Sequence, residues 1–254
     1  MTLARKISNS KLGGIVLSVL LSSNAPHISR AEFDKEAIEF LEAYYPEALV
    51  RPIAVPILHV ARHCMGLRVV EKRLTEDFSI LGQMCFTSGL AEIYDKEDDS
   101  YKMVKARYGT MIIDPDTIDK RNEGCKNNTI AHEAFHWHKH RDYHIAVSVV
   151  DSKKAVHIRS SYKESDEYNK ANWSDEDWME WQAKGIAPRI LMPPIQFDEM
   201  ANWYIEKYSQ SPRIGSNSRL QRAVIDCLAS FFMVSKQSAE IRLHERGYFS
   251  RESM

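Results

Sequence analysis

The segment 132–136, His-Glu-Ala-Phe-His, holds residue types at a spacing that suits metal-dependent hydrolysis. In a helix of 3.6 residues per turn, positions i and i+4 project from one face, so His132 and His136 can present two imidazoles to one cation. Glu133 points to one side, where it can take a proton from a metal-bound water. Zinc lowers the pKa of such a water toward about 7 and polarises a carbonyl. The segment therefore predicts two metal ligands and a general base.

A catalytic zinc site of this kind requires a third protein ligand. A metzincin arrangement would need a glycine at the position of Lys139 to break the helix and a ligand at Asp142, and a lysine does not adopt that turn cheaply. His140 follows on the same stripe, but it would lie about 12 Å along the helix axis from His132. That separation is too large for both to share one ion with His136. We therefore expect His140, and with it His138 and His144, to be solvated or to support the ligands from behind.

Glutamates later in the chain are the remaining source of a third ligand. Glu180 begins a helical pattern 44 residues after His136, with apolar residues at i+3, i+6 and i+7 that would turn the helix inward. It is the preferred third ligand in a His₂Glu site that leaves the fourth position for water. Glu167 and Glu176 stay open as rivals, and the Cys125 thiol is a less favoured one.

The elements that must position these residues follow from hydrophobic periodicity. Helices are predicted at 30–49, at 57–65 with Gly66 at its end, at 128–138 and at 178–190, where Pro193 and Pro194 stop it. Short strands are predicted at 67–70, 79–86, 90–94 and 109–113, with a charged loop at 95–105. The stretch 151–177 is crowded with charged and aromatic residues and is expected to be an exposed excursion. His59 and His63 have i,i+4 spacing too, but we expect them to face solvent.

Two parts of the chain together resemble a known family. The run Thr129-Ile130-Ala131-His132-Glu133-Ala134-Phe135-His136-Trp137, followed by Glu180 with Ala183, Ala187 and Ile190-Leu191-Met192-Pro193, is similar to the ImmA/IrrE family of metallo-endopeptidases. The resemblance implies that His132, His136 and Glu180 bind the metal and that Glu133 is the catalytic glutamate. It is strong from Gly109 to Pro193 and weak from about Glu36. Phe135 stands where the family usually has glycine, and the stretch before Glu180 is longer than in compact members.

The C-terminal segment predicts two helices joined by a short turn. The first covers 219–233, and the second begins with Ser235 as its N-cap. Helix, turn and helix is the shape of a DNA-reading motif, and residues 211–254 carry 7 Lys+Arg against 4 Asp+Glu. This excess is modest for a DNA binder. A subdomain that packs on the rest or presents substrate is preferred, and DNA binding is kept as the alternative.

Composition and charge limit the compartment and the partners. The 34 Lys+Arg nearly balance the 35 Asp+Glu, so no overall field draws the molecule to nucleic acid or to an anionic membrane. The four cysteines form no C-x-x-C pair and predict reduced thiols. The apolar run 12–21 is too short to span a bilayer, which needs about 20 residues. It could serve in a secretory signal, but a buried first helix and a cytoplasmic protein are preferred.

Taken together, the sequence predicts an α+β protein: a mostly helical, zincin-like peptidase domain with a small β-sheet, followed by a helix-turn-helix-like subdomain. The expected divisions are an N-terminal extension at 1–30, the peptidase domain at 31–210 and the helical subdomain at 211–254. The expected cofactor is one Zn²⁺ ion, with Mn²⁺ as an alternative. The resemblance implies that the substrate is a protein, a transcriptional repressor with a helix-turn-helix domain. The rival hypothesis is a DNA-binding regulator whose metal is structural.

Overall fold

The computed structural model describes residues 26–117, 122–150, 157–161, 170, 172–210 and 216–249. Over these residues the chain is a mixed α+β structure in which helices surround a small sheet, as the sequence predicts. None of the helices in these ranges is long and apolar enough to cross a membrane. The apolar run at 12–21 and the rival ligand Glu167 lie outside the described residues.

The N-terminal helices pack on the core through one apolar face. Helix α1 (Phe33–Tyr44) buries residues at the i, i+4 and i+8 positions, Phe33, Ala37 and Leu41. The predicted helix 30–49 is interrupted at Tyr45, whose φ of −155° and ψ of 64° leave the helical region before Pro46. Short helices α2 (Glu47–Val50) and α3 (Ile57–His59) follow, and α3 continues as a π-helical turn, Val60–Cys64. Gly66 then takes a left-handed φ of +69°, which suits the predicted helix end.

The main sheet has four strands in the order β1-β5-β2-β6. These are β1 (Arg68–Glu71), β2 (Ile80–Cys85), β5 (Thr110–Ile113) and β6 (His157–Ser161). Strand β1 pairs in parallel with β5, and β2 pairs antiparallel with both β5 and β6. The segment 157–161 lies in the stretch expected to be an exposed excursion, and there its backbone forms a strand beside β2, which was not predicted. The charged neighbours of this strand hid its pairing.

A separate hairpin replaces the loop predicted at 95–105. Strands β3 (Gly89–Asp95) and β4 (Ser100–Ala106) pair antiparallel from Gly89 with Ala106 to Asp95 with Ser100. Along β4, exposed residues alternate with less exposed ones, the strand period. Lys102 in β4 is tied to the end of β3, since its Nζ lies 2.7 Å from the Asp95 carboxylate. The loop prediction failed because most of the charged residues belong to the end of β3 and to the turn at 96–99, while β4 itself has the alternation of a strand.

One long helical segment crosses the molecule over the sheet. It consists of α4 (Glu123–Phe135), a π-helical turn (His136–His140) and α5 (Arg141–Val150), and it is much longer than the predicted 128–138. Asn122 caps its start, because its side-chain oxygen accepts a hydrogen bond from the Cys125 amide at 2.8 Å. Helix α4 packs on β2 and β5 on one side and on the later helix Asp175–Leu191 on another.

Helix α6 (Asp175–Leu191) starts at a capping box. Ser174 Oγ accepts from the Asp177 amide at 3.2 Å, and the Asp177 carboxylate accepts from the Ser174 amide at 2.9 Å. The predicted helix 178–190 is therefore confirmed and extended by one turn at its start. Pro194 then opens helix α7 (Pro194–Ser209), which the sequence analysis did not predict.

The C-terminal pair of helices is α8 (Asn217–Phe232) and α9 (Lys236–Glu245). Ser235 caps α9 as predicted, accepting a hydrogen bond from the Ser238 amide at 3.0 Å. The turn between the helices lies on the start of α4: Asn127 Nδ2 donates to the Met233 carbonyl at 2.9 Å. A Cβ atom at Gly124 would stand 2.2 Å from the Val234 carbonyl carbon, so only glycine allows this approach.

Buried ion pairs also join α9 to α1 and α6. The guanidinium of Arg242, 3% exposed, lies 2.5 Å from the Asp34 carboxylate, and Arg189 Nη2 lies 2.8 Å from the Glu245 carboxylate. Burial in apolar surroundings would be costly for these arginines without their partners. The second C-terminal helix is therefore held to the body of the molecule by charge pairs as well as by apolar contacts.

Candidate metal centre

Helix α4 and the turn after it place the two predicted histidine ligands side by side. Their Nε2 atoms are 2.9 Å apart, and the side chains are almost completely shielded, with His136 at 0% and His132 at 4% exposure. This is the arrangement that the i,i+4 spacing predicts, since both rings leave the same face of the helix. Both rings face Glu180 on α6, and the space among these three side chains is called the opening below.

Glu180 on α6 closes the opening from the other side. Its Oε1 lies 3.2 Å from His136 Nε2, and its Oε2 lies 3.4 Å from His132 Nε2. Among the described residues these three form the group whose ligand atoms all lie within 4.8 Å of one another. The structure thus brings together the three residues that the sequence analysis chose across a gap of 44 positions.

The donor set fits a small divalent cation. Ligands about 2.0–2.1 Å from a tetrahedral zinc ion stand about 3.3 Å from one another, close to the three separations seen here. Two imidazole nitrogens and one carboxylate oxygen are a common catalytic set, and they leave a fourth position. His132, His136 and Glu180 would hold such an ion.

The protonation states suit binding of a cation. Burial lowers the pKa of His136 below its usual value, so its ring is neutral near pH 7 and carries a lone pair. Burial alone would raise the pKa of Glu180. The contacts of its carboxylate with the His132 and His136 rings outweigh burial and hold that pKa well below its usual range. The site therefore contains an ionised carboxylate beside imidazole nitrogens.

The predicted general base, Glu133, is fully buried between α4 and strand β2. A Cβ atom at Gly82 would stand 2.6 Å from Glu133 Oε1 and 2.8 Å from the Thr129 methyl. Gly82 is thus the residue that leaves room for the carboxylate. The sequence analysis assigned Gly82 only to a strand, although a glycine inside a strand is a signal for a close approach by another group.

The three histidines that follow the motif are not solvated side chains. His140 is fully buried and lies behind His136, with its Nδ1 atom 2.9 Å from His136 Nδ1. His144, 2% exposed, stacks on the ring of Phe86 at 4.4 Å. His138 is partly buried and shares a hydrogen bond with the Tyr44 hydroxyl at 3.3 Å. His140 does not join the group of three, as helix geometry predicts.

The other rival ligands that the structure describes lie away from the site. Glu176 is exposed in the first turn of α6, and the Asp142 side chain is 85% exposed beside Arg141. The chain stays helical through Lys139, whose ammonium lies 2.6 Å from the Glu36 carboxylate, so the break that a metzincin needs is absent at this position. Cys125 lies in the first turn of α4 and is not a member of the group.

The second histidine pair is on the surface. His59 and His63 are exposed on α3 and its π turn, with ring centroids 4.8 Å apart, as expected for solvent-facing residues.

No protein-family model matches this chain, and a comparison with curated proteins found no match. The function is therefore inferred from the geometry and chemistry of the site.

Proposed function

We propose that the chain is a zinc-dependent endopeptidase that hydrolyses a peptide bond in a protein. The observation that carries this proposal is the convergence of the ligand atoms of His132, His136 and Glu180, with the fully buried Glu133 following His132 in the same helix. A purely structural zinc site usually has four protein ligands and no adjacent base. A set of three with a neighbouring carboxylate is the composition of a hydrolytic site.

The residues of the site have two roles: three of them hold the metal ion, and one transfers a proton. A zinc ion held by these residues would supply Lewis-acid chemistry, lowering the pKa of a water toward about 7 and polarising the scissile carbonyl. His132, His136 and Glu180 fix the position of the ion. Glu133 accepts a proton from the attacking water as a general base. The contact with Gly82 holds the Glu133 carboxylate in a fixed place, so little reorganisation is needed when the proton moves.

The proposed substrate is a helix-turn-helix transcriptional repressor in the cytoplasm. The support for this finer assignment is the resemblance of segments 129–137 and 180–193 to the ImmA/IrrE family. The four cysteines form no disulfide, which suits a reducing compartment.

The rival function, DNA binding through α8 and α9, has less support. Several basic side chains of the C-terminal segment are engaged within the chain: Arg242 pairs with Asp34, and Arg246 pairs with Asp198. A guanidinium that is buried in such a pair cannot reach a phosphate without breaking it. Gel-shift binding to duplex DNA at two salt concentrations tests the rival, because phosphate contacts give a steep salt dependence. Salt-sensitive, tight DNA binding would favour it over the peptidase.

The peptidase proposal is tested with one matched pair of substitutions. The zinc-loaded protein is incubated with a peptide library from a digested bacterial proteome in H₂¹⁸O, and new termini carrying ¹⁸O are detected by mass spectrometry. Glu133→Gln should keep stoichiometric zinc and slow cleavage by about 100-fold or more, the usual contribution of a general base. Glu176→Gln makes the same chemical change at an exposed position of α6 and should cleave as wild type does.

Three results would overturn the proposal. They are a wild-type protein that binds no stoichiometric zinc, a zinc-loaded protein that leaves the library intact, and a Glu133→Gln variant that cleaves as fast as wild type.

A further inference from the structure

A line of hydrogen-bonded groups extends from His136 into the protein, away from the opening. His136 Nδ1 lies 2.9 Å from His140 Nδ1, and His140 Nε2 lies 3.0 Å from Gln182 Oε1. Gln182 Nε2 donates to the Pro26 carbonyl at 2.8 Å. His136, His140 and Gln182 are all at least 99% buried, so water does not replace these partners.

The direction of every hydrogen bond in this line follows from the Pro26 carbonyl, at which the line ends. The Pro26 carbonyl can only accept, so the Gln182 amide group must face it and its oxygen must face His140. His140 Nε2 therefore carries a hydrogen and donates it, which leaves a lone pair on His140 Nδ1. Two ring nitrogens 2.9 Å apart need one proton between them, so His136 Nδ1 donates to His140. The remaining nitrogen of His136, Nε2, then carries a lone pair within the group of three, 2.9 Å from His132 Nε2 and 3.2 Å from Glu180 Oε1.

We propose that His140 and Gln182 are positioning residues that hold His136 in the Nδ1–H tautomer, with its Nε2 lone pair aimed at the cation. This inference rests on the metal site of the proposed function and adds two residues to it. Histidine ligands usually donate their second N–H to a carboxylate, a backbone carbonyl or a water. Here the acceptor is another imidazole, which accepts at Nδ1 in only one of its neutral tautomers. Gln182 selects that tautomer of His140, so its amide acts on the ligand His136 through His140.

The first test measures tautomers without any metal. Long-range ¹H–¹⁵N correlation NMR of the zinc-free wild-type protein distinguishes the protonated nitrogen of each buried ring. The expected result is Nδ1–H for His136 and Nε2–H for His140. Finding His140 protonated at Nδ1, or His136 at Nε2, would overturn the proposal.

The second test measures zinc affinity by competition with a chromogenic chelator. Gln182→Leu removes the acceptor and should weaken zinc binding by about 10- to 100-fold, the usual effect of losing a partner of a metal ligand. In Gln182→Glu, burial beside the Pro26 carbonyl favours the protonated acid, which can donate to that carbonyl and still accept from His140, so this variant should restore affinity close to that of wild type. The Gln196→Leu control removes a different buried amide contact, 2.7 Å from the Leu49 carbonyl, and should leave zinc affinity unchanged.

These outcomes separate the inference from the function beneath it. If wild type binds no zinc, the peptidase proposal fails. The tautomers measured in the metal-free protein still show the directions of the hydrogen bonds from His136 to Pro26. If wild type binds zinc and Gln182→Leu binds it equally well, the role of Gln182 is refuted and the metal site stands. If Gln182→Leu does not fold, the comparison of Gln182→Glu with wild type and the NMR result decide.

Discussion

Gly82→Ala should separate the position of the general base from the binding of the metal. The added methyl group would enter a space that is already occupied, 2.6 Å from Glu133 Oε1 and 2.8 Å from the Thr129 methyl. Because ordinary contact begins near 3.4 Å, Oε1 has to retreat by about 0.8 Å. The carboxylate is fully buried and has no solvent to swing into, so α4 and β2 must also separate slightly.

Two effects of different size should result. Overpacking a buried contact should lower the free energy of unfolding by about 1–3 kcal/mol, measured by urea denaturation. A shift of this size in a catalytic group should lower kcat/KM by about 100-fold, equivalent to about 2.7 kcal/mol of activation free energy. Zinc affinity should stay near that of wild type, because the shifted atom belongs to Glu133 and not to a ligand. The cleavage rate is measured per zinc-loaded molecule on the peptide that wild type cuts fastest.

The matched control is Gly185→Ala, which overpacks a different interface. Its Cβ atom would stand 2.1 Å from the Phe33 ring, between α6 and α1, and away from Glu133. This variant should be destabilised but should keep its cleavage rate per zinc-loaded molecule. If Gly82→Ala cleaves like wild type, the contact with β2 does not position Glu133. If it loses zinc instead, the strand has displaced the whole helix, and the reasoning about a separate general base is wrong.

Three further predictions concern stability. Asp34→Ala should lower the free energy of unfolding in urea by about 2–3 kcal/mol, because it leaves the buried Arg242 with only part of its counter-charge; a loss below about 0.5 kcal/mol would contradict this. Burial lowers the pKa of His144 to about 3, so as pH falls from about 6 to 4 the unfolded chain binds a proton there that the folded one does not. Because of this group, the free energy of unfolding of the zinc-free protein should fall by about 1.4 kcal/mol per pH unit over this range. His144→Phe should reduce the slope of that free energy against pH by the same amount, and an unchanged slope would refute the prediction. Zinc at about 100 times its Kd should stabilise the fold by about 2.7 kcal/mol and raise Tm in calorimetry, and a chelator should reverse the shift; the double variant His132→Ala/His136→Ala should show neither change.

Much of the site could be predicted because its chemistry is local in sequence. The i,i+4 spacing of His132 and His136 fixes their relative direction once a helix forms. Glu180 could be chosen because its helix carries apolar residues that turn it inward. The contact between Gly82 and Glu133 could not be predicted from the sequence. Gly82 lies in a strand 51 positions before Glu133, and only the packing of that strand against α4 brings the two residues together.

The errors in the fold have a common physical origin. Strand β4 and strand β6 were missed because charged residues at 95–105 and 151–177 suggested loops. A strand with one solvated face, or at a sheet edge, tolerates such charges, since only backbone pairing is required of it. His140 and His144 were expected either to be solvated or to support the ligands from behind, and His140 follows the second alternative. Burial of a polar ring is acceptable where it gains partners, as His140 does with His136 and Gln182.

The π-helical turn at His136–His140 has a consequence for how related sequences should be aligned. A π turn accommodates one residue more than an α turn, so it advances the register of everything that follows by about 100° around the axis. A homologue lacking one residue here would keep His132 and His136 in place but would rotate α5, turning the position of His144 away from Phe86. A single-residue gap in this stretch should therefore be treated as a change of helix phase, and it should be accompanied by compensating substitutions at the residues that face α5.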